Sequence, residues 1–232
     1  MQLSLRLSAI AQMVTEGNRL VDVGCDHGYL PVYLIQTHKI PQAIAADVGI
    51  GPLSRAREHI LQYGLGQYIE TRLSDGLKEI RREEGDTLVL AGMGGPLMER
   101  ILTEGADTLP GFRELILQPQ SDMGHVRGFL HKHGYRIIQE ESIQEDGKFY
   151  FIMKAVPGIQ NPEWNKEETE FGGILLRGRH PVLRKYLERE LRIRNEILIR
   201  LKDAEGDGAR GRKEEVEEER RCILAALERY EG

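Results

Sequence analysis

Three observations predict an α/β fold for the N-terminal part of the chain. Apolar strand segments alternate with helical patterns, which argues a parallel sheet with helices on both faces. Leu20-Val21-Asp22-Val23 reads as a short buried strand that runs into a turn holding Gly24 and Gly28, with a helical pattern directly behind. The series closes on two segments joined across Glu145-Asp146-Gly147, a hairpin signal rather than another crossover.

The elements follow in order. Leu3, Leu7, Ile10, Ala11 and Val14 have helical spacing, and Gly17-Asn18 ends that helix. After the first strand comes a helix from Leu30 through Ile35, then a second strand, Ala43-Ile44-Ala45-Ala46, closed by Asp47. Gly49-Ile50-Gly51-Pro52 reads as a loop whose proline opens a helix from Leu53 to Tyr63, stopped by Gly64. Tyr68 to Leu73 alternates as a third strand and ends in Ser74-Asp75-Gly76. Thr87 to Ala91 is continuously apolar apart from its first residue, hence buried on both faces. It runs into Gly92-Met93-Gly94-Gly95, with a helix from Pro96. Leu115-Ile116-Leu117 is the fifth strand, ending in Gln118-Pro119-Gln120, and a helix spans Ser121 to His133. Tyr135 to Ile143 and Lys148 to Val156 form the antiparallel hairpin. This pattern predicts the seven-stranded Rossmann-like sheet of class I methyltransferases over residues 1–156.

Residues 157–232 have a different character. Pro157 to Pro162 reads as a linker and Phe171-Gly172-Gly173 as a turn. One helix runs from Pro181 to Lys202, with Leu183, Leu187, Leu191, Leu198 and Leu201 on one stripe and Tyr186, Ile193 and Ile197 on a second. A glycine-bearing loop, Asp203 to Arg212, leads to a second helix from Lys213 to Tyr230 with Val216, Ile223, Leu224 and Leu227. These spacings predict a helical hairpin packed as a short antiparallel coiled coil.

With 232 residues, 40% apolar and 30% charged, the chain is long enough to bury a sizeable core. No apolar run approaches the roughly 20 residues of a membrane span, and the first residues lack the pattern of a signal peptide. Cys25 and Cys222 fit no metal spacing, so neither a metal nor a disulfide is expected, and a reducing cytoplasm is. The net charge of −5 argues against nucleic acid. The distribution argues otherwise: nine basic residues against three acidic ones lie between Gly173 and Lys202. That stretch is either a solvated helix face or a grip for phosphates.

In a doubly wound sheet, ligands bind beyond the carboxyl ends of the strands. Those ends hold Asp22, Gly24, Cys25, Asp26 and His27; Asp47 and Val48; Ser74, Asp75 and Gly76; Ala91, Gly92, Met93 and Gly94; and Gln118, Pro119 and Gln120. Asp26 stands where a dinucleotide site needs its middle glycine and would repel a pyrophosphate. Asp47, about 20 residues past the glycine turn, suits a ribose hydroxyl, and Asp75 suits an adenine amine. S-adenosylmethionine presents a ribose diol, an adenine amine, a sulfonium and an ammonium, which carboxylates match by acceptance and by charge. The plainer reading is that Asp47 and Asp75 cap the helices behind them.

Leu3-Ser4-Leu5-Arg6-Leu7, Asp22 to Pro31, Ala91 to Gly95, Leu115 to Gln120 and Glu145 to Tyr150 carry a resemblance to a known family. On these motifs, and on Phe171 through Leu187, the chain resembles the bacterial tRNA (adenine(22)-N(1))-methyltransferase family (TrmK) over nearly its whole length. The resemblance implies S-adenosylmethionine as cofactor, a coiled-coil C-terminal domain and methylation of adenine N1 in tRNA. Two positions depart from the family: Gln120 replaces an Asn, and Val48-Gly49-Ile50 lacks polar residues.

Adenine N1 attacks through an in-plane lone pair and needs no strong base. Asp26 is the first candidate for an acid near the reacting centre, or else a helix cap. Tyr29 either stacks on the flipped adenine or fills the core. Arg6, Gln118, Pro119 and Gln120 are candidates for contacting the substrate near the cleft. Arg177, Arg179, Arg184, Lys185, Arg189, Arg192 and Arg194 are candidates for gripping tRNA phosphates. Two other readings stay open, a small-molecule methyltransferase and a non-catalytic RNA-binding scaffold. The expected assembly is a monomer or weak dimer, with neither metal nor membrane as partner.

Overall fold

A computed structural model describes residues 1–202 and 206–231, which divide into two units, Met1–Gln160 and Asn161–Gly232. The first unit is built on strands β1 (Leu20–Val23), β2 (Ala43–Asp47), β3 (Ile69–Leu73), β4 (Thr87–Met93), β5 (Glu114–Pro119), β6 (Tyr135–Glu145) and β7 (Lys148–Pro157). Its helices are α1 (Leu5–Met13), α2 (Tyr29–Gln36), α3 (Ile50–Gln62), α4 (Gly95–Glu104) and α5 (Met123–Lys132).

The sheet order is β3-β2-β1-β4-β5-β7-β6, parallel except where β7 joins β5 and β6. Every residue of β1, β2 and β5 is buried, as are Thr87 to Leu90 of β4. This is why those strands read as continuous apolar runs. Edge strand β3 is half exposed and carries Glu70 and Arg72, charges that discourage pairing with another chain. Chain order reverses across β1, whose neighbours are β2 and β4, so the ligand crevice of this topology opens above those three strand ends.

Two polar networks fix α1 against the sheet. At its N-terminus, the Ser4 side chain accepts from Leu7 N, and the Glu145 carboxylate accepts from Leu5 N at 2.6 Å and from Arg6 N at 3.3 Å. An acid there also suits the positive end of the helix. Beyond its C-terminus, Glu114 accepts from Thr15 N (2.9 Å), Thr15 Oγ1 (2.6 Å), Thr87 Oγ1 (2.7 Å) and Lys154 Nζ (2.8 Å). Lys154 also donates to the Met13 carbonyl at 2.8 Å. Burial pushes the Glu114 carboxyl up, but these donors outweigh it and hold the group below its usual value.

The second unit holds α6 (Lys166–Phe171), α7 (Gly173–Arg177), α8 (Pro181–Arg200) and α9 (Asp207–Glu228). Helix α6 opens on a capping box in which Asn165 and Glu168 exchange hydrogen bonds with each other's backbone. Helices α8 and α9 form the expected hairpin, with Leu183 and Leu187 of α8 and Val216, Ile223 and Ala226 of α9 buried. Buried Glu190 interrupts the apolar seam and is bound by Arg189 and Arg194, and Arg194 reaches Glu219 on α9 at 2.8 Å.

Two helix starts differ by three residues or more from the sequence reading, and Gly173, read as part of a turn, opens α7. Helix α3 begins at Ile50, three residues early, because Asp47 Oδ1 accepts from Gly49 N at 2.8 Å and shapes the turn before it. Helix α9 begins at Asp207 rather than Lys213, so Gly208 and Gly211 of the expected loop are helical. Residues 203–205 of that loop lie outside the described residues. Both glycines are exposed with nothing within 4 Å of where a Cβ would sit, so each keeps its cost of roughly 1 kcal/mol, offset only in small part by the exposed Arg212–Glu215 pair.

Glu114→Ala leaves the Lys154 ammonium without its carboxylate in a buried setting. The expected loss of stability is about 3 kcal/mol, read as a lower urea midpoint at pH 7. Because the folded carboxyl titrates below its unfolded value, the wild-type advantage is present above about pH 4.5 and fades as the pH falls. A midpoint within error of wild type would contradict the network's role.

Candidate active site

Asp22 lies on the third position of β1, buried to 5% exposure on the wall of a recess shared with Arg6, Cys25, His27, Tyr29 and Ala91. No described residue donates a hydrogen bond to its carboxylate. Burial first, and the charge of Asp47 second, push this acid up to about 7, with the Arg6 cation pulling the other way. Cys25 beside it is buried, and desolvation followed by Asp22 pushes its thiol up, which makes it inert as a nucleophile.

Asp47 ends β2 with its carboxylate on backbone donors, Gly49 N at 2.8 Å and Asp26 N at 3.4 Å. The two acids are electrostatically coupled across adjacent strands, and Asp75 stands at the next strand end. Asp75 sits after β3 with its carboxylate on Lys78 (2.6 Å) and Arg100 (3.2 Å), and those bonds, Lys78 first, hold it below the usual range. The neighbouring Ser74 hydroxyl is buried and donates to the Gly76 carbonyl at 2.8 Å, so it shapes this turn. Gly76, at φ +64, closes the turn against Ile101.

Asp26 takes a left-handed conformation, φ +47, and lines the recess at its rim without capping α2. Its exposed carboxylate meets Arg55 at 3.0 Å and His27 Nε2 at 3.7 Å, and no side chain caps α2. Tyr29 is not core: it is 42% exposed and its ring packs beside His27 and His59. Val48, after Asp47, is 68% exposed at the rim.

On the other side of the switch point, Gly92 has φ +77, and its N–H donates to Gln118 Oε1 at 3.1 Å. Arg6 Nη1 donates to the same oxygen at 3.0 Å, and the Gln118 amide nitrogen donates to the Pro119 carbonyl. Gln118 is therefore fully buried with both ends of its amide engaged, and serves as a brace between α1 and the β4 turn rather than an open contact for substrate. Arg6, which helical pattern alone would place on the surface, is carried into the recess by this brace and lies over the Tyr150 ring. Gln120 is exposed, with its backbone N–H on the Met93 carbonyl at 2.9 Å. Met93 also covers Gly24, where a Cβ would sit 3.2 Å from its methyl. Gly94 precedes α4, and Ser121 Oγ accepts from Gly95 N.

In the second unit most of the candidate cations are occupied. Arg177 pairs with Glu168 and lies over Trp164, Arg184 pairs with Glu188, and Arg189 and Arg194 hold Glu190. Among the described residues, Arg179, Lys185 and Arg192 make no ion pair, and all three are exposed. Lys185 and Arg192 are seven residues apart and share a face of α8.

A family model described as a methyltransferase domain matches residues 3–153. The tRNA (adenine(22)-N(1))-methyltransferase of Bacillus subtilis is 38% identical over 165 residues, covering 71% of this chain and 69% of that protein. The crystal structure of the B. subtilis TrmK enzyme superposes with a TM-score of 0.89 at 30% identity, over 97% of this chain and 99% of that one. TrmK of M. capricolum, solved with S-adenosyl-homocysteine, gives 0.87 at 26% identity over 99% of both chains. Sp1610 of Streptococcus pneumoniae, solved with S-adenosyl-L-methionine, gives 0.89 at 31% identity over 97% of this chain and all (100%) of that one. With strand order, crevice and acid pair in place, these matches show that the chain belongs to the tRNA (adenine(22)-N(1))-methyltransferase family.

Proposed function

We propose that this protein transfers the methyl group of S-adenosylmethionine to N1 of an adenine in tRNA, at position 22 as in its relatives. The observation that carries the reading is Asp22, a buried carboxylate that no described residue satisfies, on the wall of the crevice the fold reserves for ligand. A ligand with a cationic end resolves that cost, and a pyrophosphate would aggravate it.

The donor set fits the cofactor. Asp22 would face its ammonium, and Asp47 would take the ribose diol. Gly24 and Gly92, both at positive φ, keep the backbone bare on either side. Bound there, S-adenosylmethionine supplies an electrophilic methyl on a sulfonium. Adenine N1 forms the new bond with its own lone pair as the sulfur–methyl bond breaks, and the positive charge passes from sulfur to the base. The chain's task is thus to position rather than to abstract a proton. The brace of Arg6, Gln118 and Gly92 N–H sets the β4 turn beside which the target base must lie, and Gln120 is the exposed polar side chain there. Asp26 is bound by Arg55 and serves the turn's geometry, which leaves Tyr29 as the side chain for stacking.

Lys185, Arg192 and Arg179 are the cations available to tRNA phosphates, since Arg189 and Arg194 already serve the hairpin. No helix among the described residues is long and apolar enough to cross a membrane, and a tRNA substrate supports a cytoplasmic site of action.

Ionisation of Asp22 near pH 7 gives a signed expectation. Affinity for S-adenosylmethionine rises as the pH climbs through about 7, and Asp22→Asn both weakens binding and flattens that rise; calorimetry at pH 6 and 8 measures both. In the free protein the folded state holds this proton longer than the unfolded chain does. Stability therefore falls between pH 3.8 and about 7, by roughly 4 kcal/mol in all. Asp22→Asn removes that slope, and a wild-type affinity indifferent to pH would contradict the assignment.

Incubation with labelled S-adenosylmethionine and unmodified tRNA, followed by mass spectrometry of the nucleosides, tests the activity. N1-methyladenosine is expected; a methylated guanosine, or no product, would overturn the reading. Reversing Lys185 and Arg192 to Glu is expected to raise the KM for tRNA at least tenfold and leave cofactor affinity unchanged. An unaltered KM would remove α8 from the RNA interface.

A further inference from the structure

Four aromatic rings form a continuous row that starts in the recess and leaves it along α3. His27 and Tyr29 lie parallel, 15° apart with centroids 5.2 Å apart. Tyr29 meets His59 edge to face at 4.8 Å, and His59 meets Tyr63 edge to face at 5.0 Å. His27 and Tyr29 line the same recess as Asp22 and Arg6, so the row is continuous with the candidate active site. His59 and Tyr63 sit four residues apart on α3 and its last turn, and Arg55 precedes His59 by the same interval. The sequence thus holds a stripe, Arg55-His59-Tyr63, that the core does not explain.

Each ring is held in place by its neighbours. His59 Nδ1 donates to the His27 carbonyl at 3.1 Å, which fixes that imidazole between the two tyrosines. Tyr29 and Tyr63 nonetheless remain 42% and 38% exposed. Large aromatic faces held rigid yet left to solvent suit flat π-ligands, because little side-chain freedom remains to be lost on contact. Charge does not add to this: Arg55 is paired with Asp26, and Arg57 lies off the stripe with its Nε on Thr71 Oγ1 at 3.2 Å. The row offers a π-face, and an unstacked base is the part of a nucleic acid that matches it.

We propose that the outer end of the row, Tyr63 with His59 behind it, is a stacking platform for an unpaired base of the substrate RNA next to the target adenine that Tyr29 receives. The proposal rests on the tRNA methyltransferase reading and adds to it a second contact area, on the catalytic unit rather than on the helical hairpin.

Tyr63 is the position to test, because it lies outside the recess and its exposed ring contributes little to the core. Tyr63→Ala in the full chain is expected to raise the KM for unmodified tRNA by roughly tenfold, the scale of one lost base stack. The melting temperature and the affinity for S-adenosylmethionine should stay at wild-type values. Tyr63→Phe and Tyr63→Trp should keep the wild-type KM, because they retain a π-face. A wild-type KM in Tyr63→Ala, with the unaltered protein methylating adenine in the same assay, would overturn the platform and leave the enzymatic reading intact. Failure of the unaltered protein to methylate tRNA would instead remove the reading on which the platform rests.

Discussion

A carboxylate largely withdrawn from water and given no donor is costly, and here the sheet carries one on the wall of its recess. Asp22 sits mid-strand on β1 between β2 and β4, beside a second acid, Asp47, whose own oxygens are turned to backbone N–H groups. The usual resolution of such strain is a paired cation or a buried proton. The Arg6 guanidinium is near enough to temper the charge, but it spends its hydrogen bond on Gln118. A charge imbalance held in place by rigid elements is a binding site for a cation, and the surrounding glycines give it room.

The rest of the first unit reads as support for that arrangement. The β6–β7 hairpin, which ends the sheet and touches no ligand crevice, supplies Glu145 to the start of α1 and thereby aims Arg6. Lys154 and Glu114 anchor the far end of the same helix to β7 and β5. A single buried amide, Gln118, then joins α1 to Gly92 at the irregular end of β4. Substitutions remote from the crevice would thus act on it through α1, whose position they set.

How much of this was legible in the sequence depends on how local each signal is. Strand identity and the hairpin follow from apolar runs and turn residues such as Asp146-Gly147, and all seven strands lie where those runs place them. The acids were legible as aspartates at or near the ends of neighbouring strands, Asp22 in β1, Asp47 closing β2 and Asp75 after β3; that Lys78 and Arg100 converge on Asp75 was not. That Gln118 is buried as a brace was not legible, because the contact joining it to Arg6 spans 112 positions. The capping box at Asn165 and Glu168, by contrast, is a local pattern that could have revealed α6. The early start of α9 was hidden by Gly208 and Gly211, whose loop propensity masks a helix that begins at Asp207. The basic stretch looked like one patch until α9 supplied the Glu219 carboxylate that claims Arg194.

The most direct measurement is a crystal structure of this protein grown with S-adenosylhomocysteine. The account predicts the amino acid portion of that molecule against the Asp22 carboxylate and its ribose against Asp47, with the Gly92 turn alongside. Density for the ligand elsewhere, with both carboxylates in the contacts they make without it, would contradict the claim that an uncompensated acid pair defines the site.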